Sequence, residues 1–234
     1  MSKRSEIIEG RMAKAATSGL VYTEVLGWVD LGHAQGNDIK NLFKQIDAGE
    51  FSGKAYYDVN YSQAMAYPPF NMKIGKFITW RIKRGRPYYE RKSIALGMMM
   101  SITRKFEGLQ ASFPACLVTD SGFSGEDLVS NLLGFYRVVT NLDIFTLIKP
   151  VSKKEALKRW DRYGRIGAWK NRDFTPILFP DPDKYPDARP RKGVLPAFML
   201  SERPWSDFQS GKVRIVSADG SYMDKYKGGS LPYA

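Results

Sequence analysis

At 234 residues the chain is long enough for one sizeable domain, or one domain with an extension. Its 36 Lys and Arg against 24 Asp and Glu leave a formal charge of +12. That balance favours a polyanionic partner (nucleic acid, an anionic lipid surface or an acidic wall polymer) without choosing among them.

A single cysteine, Cys116, excludes an internal disulfide, and with a single histidine, His33, it excludes a Cys/His zinc site. No carboxylate metal signature is present, so no metal and no cofactor are expected. No apolar run is long enough to cross a bilayer, so stable membrane insertion is not expected.

Residues 1–18 are basic and polar without an apolar core, unlike a secretory signal of the usual kind. Ile8-Glu-Gly-Arg11 looks like a protease-site linker, and the stretch is predicted to be a flexible tail. Residues 19–31 are apolar and β-prone, which predicts a buried strand or strand pair. A glycine-flanked turn holding His33 follows, then a helix from Asn37 with Ile39, Leu42, Phe43 and Ile46 inward. Residues 49–72, rich in Tyr, Gly and Pro, read as loop with short extended pieces.

Residues 73–83 alternate, with Ile74, Ile78, Trp80 and Ile82 on one side and Phe77, Thr79, Arg81 and Lys83 on the other, a half-buried strand. Arg81, Lys83, Arg84, Arg86, Arg91 and Lys92, interleaved with Trp80, Tyr88 and Tyr89, form the best candidate polyanion patch. A solvated basic hairpin edge reads the same way. Residues 93–110 make a largely buried helix, with Glu107 near its C-terminal end, where the dipole disfavours a carboxylate and raises its pKa if buried. Ser152-Lys-Lys-Glu155 is a capping box. Prolines punctuate residues 176–204 and predict an irregular wrap. Residues 213–223 read as a terminal hairpin turning at Ala218-Asp219-Gly220, and residues 225–234 are predicted to fray.

The stretch Thr119 to Tyr136 reads as a Ser/Gly loop running into a helix. Ser124 takes the N-cap position and Asp127 the third residue of a capping box, with Leu128, Leu132, Phe135 and Val139 on the buried face. Glu126 and Asp127 thus fall in the first turn, where the dipole favours carboxylates, and Asn131 lies about one turn on. The same residues serve equally as ordinary caps. His33 is the one imidazole available as a general base near neutral pH. Cys116 sits among apolar neighbours and suits a small buried residue better than a nucleophile.

Gly27-Trp-Val-Asp-Leu-Gly-His33 and Ser121-Gly-Phe-Ser-Gly-Glu-Asp-Leu-Val-Ser-Asn-Leu-Leu-Gly134 resemble paired segments of a bacterial family of domains of unknown function, found in lipoproteins and in secreted or toxin-like proteins. Phe106-Glu107-Gly-Leu-Gln110 is similar to the end of that family's preceding helix. The likeness spans roughly residues 20–140; Gly125 and the absence of a lipoprotein signal depart from it. The resemblance implies an envelope-linked or interbacterial role and marks His33, Glu107, Ser121, Ser124, Glu126, Asp127 and Asn131 as motif positions.

The expectation is an α+β fold: a helix-rich single domain with a core at 19–175, a small antiparallel sheet, and a proline-rich extension at 176–234. The expected activity is a peptidoglycan hydrolase delivered as an antibacterial effector. It would be made in the bacterial cytoplasm and exported without a classical signal peptide. Glu107 or Glu126 would be the general acid, with the other or Asp127 opposite, and His33 would assist. Gln110, Ser121, Ser124, Asn131, Trp80 and Arg81 would hold substrate. Peptidoglycan or another anionic polymer is the expected partner, and an acidic immunity protein would neutralise the toxin. A Cys116/His33 amidase or peptidase and a basic binder of nucleic acid or anionic surfaces stand as alternatives.

Overall fold

The computed structural model describes residues 2–67, 72–110 and 124–225, with backbone alone for Ala66, Tyr67 and Gln110. Helices take 40% and strands 24% of the described residues, and the strands pair antiparallel, so the class is α+β as expected. Where one domain is predicted, the chain divides into two compact units: Met1–Gln35 with Gln110–Leu200, and Gly36–Leu109 with Ser201–Ala234. Among the described residues no helix is long and apolar enough to cross a membrane.

The first unit opens with the segment predicted to be a flexible tail. It is packed instead: Ile7 and Ala13 are fully buried, Ile7 bridges to Leu20, and Arg4 grips Asp161 with two hydrogen bonds of 2.7 and 2.8 Å. Burying Ile7 outweighs the solubility of its basic neighbours because the charges point outward while one apolar side chain goes in. A hairpin of β1 (Leu20–Thr23) and β2 (Gly27–Asp30) follows in the register Leu20 to Asp30 and Thr23 to Gly27. Gly27 has φ +68°, and a Cβ there would lie 2.0 Å from the Ile177 carbonyl oxygen, so both turn and packing require glycine.

The described α-helices of this unit are α3 (Asp127–Val139), α4 (Ile144–Ile148) and α5 (Lys153–Tyr163), while α1 (Asn37–Phe51) and α2 (Tyr88–Gln110) belong to the second unit. Ser152 Oγ accepts from the Glu155 N–H at 3.2 Å, the predicted cap of α5. Tyr22, Trp28, Trp160 and Phe179 centre the core, with edge-to-face ring pairs at 5.3–6.4 Å. The proline-rich segment is irregular, with β5 (Ile177–Leu178) and β6 (Arg191–Lys192) as its two-residue strands. It is tied down where Tyr22 Oη donates to the Phe179 carbonyl at 2.7 Å and accepts from the Phe179 N–H at 2.8 Å.

The second unit holds α1 (Asn37–Phe51), β3 (Tyr56–Tyr67), β4 (Met72–Lys83), α2 (Tyr88–Gln110) and β7 (Val213–Lys225). The sheet order is β3-β4-β7. Two expectations need correcting. Residues 49–72 are not loop throughout: Tyr56–Tyr67 is a long strand paired residue for residue with β4. Residues 213–223 are not a hairpin: β7 runs as one strand along β4, and the Ala218-Asp219-Gly220 turn signal falls in a stretch where the register shifts. Tyr57, Val59 and Tyr61 of β3 and Ile78, Trp80 and Ile82 of β4 point inward. α1 covers β3, with Asp38 and Tyr61 hydrogen-bonded between them.

Candidate functional site

The start of α3 differs from its prediction. Ser124 does not cap the helix; Glu126 is the N-cap residue, with φ −99° and ψ −22° and no side-chain cap. A capping hydroxyl must accept from a backbone N–H. The Ser124 hydroxyl instead donates to the Glu126 carboxyl two residues on.

Glu126 is 1% exposed, and its other oxygen accepts from the Ser2 hydroxyl at 2.6 Å. Burial pushes this carboxyl up; the hydroxyls of Ser124 and Ser2 pull it partly back, and the charge of Asp30 pushes it up again. The balance lies above the ordinary carboxylate range.

Gly125 sets how closely the loop can approach the core. A Cβ there would fall 2.9 Å from the Trp169 carbonyl oxygen and 2.8 Å from Ile166 Cδ1. The Gly125 carbonyl accepts from Asn171 Nδ2 at 3.3 Å. The departure from the resembled motif at this position therefore has a packing reason.

The two motif segments meet at Asp30. Its N–H donates to Ser130 Oγ on α3 at 3.0 Å, and its Oδ1 accepts from the N–H of Gly32 at 2.7 Å and of His33 at 3.3 Å. His33 opens a 3-10 turn, His33–Gln35, and Arg137 of α3 donates to the Ala34 carbonyl at 2.8 Å. One carboxylate thus fixes the histidine turn and acts electrostatically on the buried acid.

Of the expected site residues, His33, Ser124, Glu126, Asp127 and Asn131 lie in the first unit. Asp127 and Asn131 are buried on α3. Glu107, buried on α2, lies in the second unit with Trp80 and Arg81. Trp80 and Arg81 occupy opposite faces of β4, Trp80 buried and Arg81 exposed, so they do not form one binding pair. The basic cluster around them is also divided, since Arg86 pairs with Glu90, Arg91 with Asp47 and Lys92 with Glu202. Ser121, Cys116 and the Gln110 side chain lie outside the described residues. Ser2, Asp30 and Ser130 were missed. Asp30 carries a sequence signal, three residues before the histidine; the two serines carry none. Among the described residues no group of three or more His, Cys, Asp and Glu is placed to hold a metal ion.

No protein-family model, no curated protein and no solved structure matches this chain.

Proposed function

We propose that this chain is a hydrolase whose general acid is Glu126 and whose substrate is the glycan of the bacterial cell wall. The observation that carries the reading is the Glu126 carboxyl, held toward its protonated form beside a second carboxylate, Asp30. A carboxyl kept toward its neutral form by burial, with a second carboxylate near it, is the kind of pair glycoside hydrolysis uses. Glu126 protonates the leaving oxygen. Asp30, fixed by Ser130 and the Gly32 and His33 amides, stabilises the sugar cation or activates water. His33, on the same turn, holds the substrate. Ser2 gives up its place at Oε1 to the substrate oxygen. The wall as substrate, and delivery as an effector with an acidic immunity partner, draw support from the net charge of +12 and from the resemblance to an envelope-linked family.

The test is clearing of a purified wall suspension by wild type and by Glu126→Gln, both checked for fold by circular dichroism. The reading expects clearing by wild type and loss of at least about 100-fold in the variant. Equal clearing by the two removes Glu126 from the chemistry.

A further inference from the structure

The outer face of the sheet β3-β4-β7 combines charge and rings in a way the Glu126 site does not use. Strand alternation sends Trp80 and Ile82 inward and Arg81 and Lys83 outward. The register sets Arg81 opposite Asp58 on one side and Arg214 on the other, with Tyr56 opposite Lys83. Tyr56, Asp58, Arg81 and Arg214 open onto a hollow of about 610 Å³, whose lining also includes Ser52 and Lys54.

Three cations against one carboxylate leave the hollow positive. Asp58 accepts two hydrogen bonds from Arg81, 2.7 and 2.8 Å, which hold the guanidinium in place. The Arg214 guanidinium stands 5.8 Å from the centre of the Tyr56 ring. Further along the face Phe77 and Tyr222 lie 6.4 Å apart, and the Lys73 ammonium sits 5.8 Å from the Tyr222 ring. Both rings rest on glycine: a Cβ at Gly220 would come within 2.2 Å of Phe77, and one at Gly75 within 2.7 Å of Tyr222. The sheet backbone supports each ring from beneath, and both rings stay half-exposed.

We propose that this outer sheet face, from the Lys54–Tyr56–Arg214 hollow to Phe77 and Tyr222, is a binding site for single-stranded nucleic acid. Cations spaced along one extended face match a phosphodiester backbone, and aromatic rings between them offer stacking surfaces to unpaired bases. A polyanion without bases satisfies the cations alone, and a duplex hides its bases from a flat sheet. The proposal is independent of the Glu126 reading, since every residue it uses lies in the second unit.

The experiment is fluorescence anisotropy of the full chain with labelled oligothymidylate of roughly 16 nucleotides, titrated at several salt concentrations. The competitors are unlabelled duplex, inorganic polyphosphate and phosphatidylglycerol vesicles. Binding should weaken steeply with salt, and Lys54→Glu with Arg214→Glu should weaken it at least about tenfold and lower the salt slope by about 1.4. Tyr56→Ala should weaken binding with the slope unchanged. Absence of binding at about 25 mM salt, an unchanged double charge variant, or polyphosphate, duplex or vesicles competing as well as unlabelled oligothymidylate would each overturn the proposal. All three substitutions fall on exposed side chains, and circular dichroism confirms the fold of each variant.

Discussion

Ser2 donates its hydroxyl to Glu126 Oε1 at 2.6 Å, across 124 positions of sequence. The contact closes the candidate acid with the chain's own N-terminal segment. Removing the hydroxyl leaves a buried oxygen without that donor, which costs on the order of 1–3 kcal/mol. Ser2→Ala is therefore expected to lower unfolding free energy by about 1–2 kcal/mol in urea titration. It should also raise the rate of wall hydrolysis, because the substrate no longer has to displace the serine. Unchanged stability together with an unchanged rate would show that the contact neither holds nor covers the site.

Glu126 makes stability depend on pH in a defined direction. Burial, opposed in part by Ser124 and Ser2, keeps its carboxyl above the ordinary range, so the folded chain retains a proton that the unfolded chain releases near pH 4.3. The group's stabilising contribution is complete below that pH and declines as pH rises toward the folded-state value. Glu126→Gln, a mimic of the neutral acid, should remove the decline. Unfolding free energies of wild type and variant should differ least at about pH 4 and diverge in the variant's favour toward pH 8. Parallel curves across that range would mean that Glu126 ionises as readily in the folded protein as in the unfolded chain.

Gly125→Ala tests the loop that presents the acid. The added Cβ meets the Trp169 carbonyl oxygen, a backbone atom that cannot rotate away. Overpacking of this kind costs about 1–3 kcal/mol. A lowered melting temperature and reduced wall hydrolysis are expected together; a melting temperature equal to wild type would show that the contact relaxes freely.

Gly49→Ala reverses the usual sign for a helix. Alanine in α1 should gain about 1 kcal/mol over glycine on propensity alone. Here its Cβ would meet the Tyr57 ring at 2.1–2.5 Å, and the Tyr57 hydroxyl is anchored on Glu50 at 2.8 Å. Net destabilisation by about 1–3 kcal/mol is expected in denaturant titration; a more stable variant would contradict the packing described for this helix.

Much of the fold is legible in periodicity. Residues 73–83, the helix ending at Gln110, the helix from Asn37 and the Ser152 cap all carry signals with a local cause. β3 was missed because its tyrosines and polar residues, with Gly53 just before it, resemble loop. In retrospect Tyr57, Val59 and Tyr61 alternate with Asp58, Asn60 and Ser62, a strand pattern hidden by composition. The terminal hairpin was misread because a turn-like tripeptide can also sit where a strand's register shifts, with Gly220 beneath the Phe77 ring. At the site, Glu126 was marked by its motif. Its partner Ser2, and Ser130 on Asp30, were not, because those hydrogen bonds join positions 124 and 100 residues apart and depend on tertiary packing alone; Asp30 lay inside the first motif, but nothing local tied it to Glu126.

The central claim is that Glu126 delivers a proton to a glycosidic oxygen. Mass spectrometry of purified peptidoglycan after incubation with wild type and with Glu126→Gln tests it most directly. The account predicts sugar fragments with new chain ends from wild type and intact glycan from the variant. Peptide-bond fragments, unreacted wall from wild type, or the same sugar fragments from both proteins would contradict it.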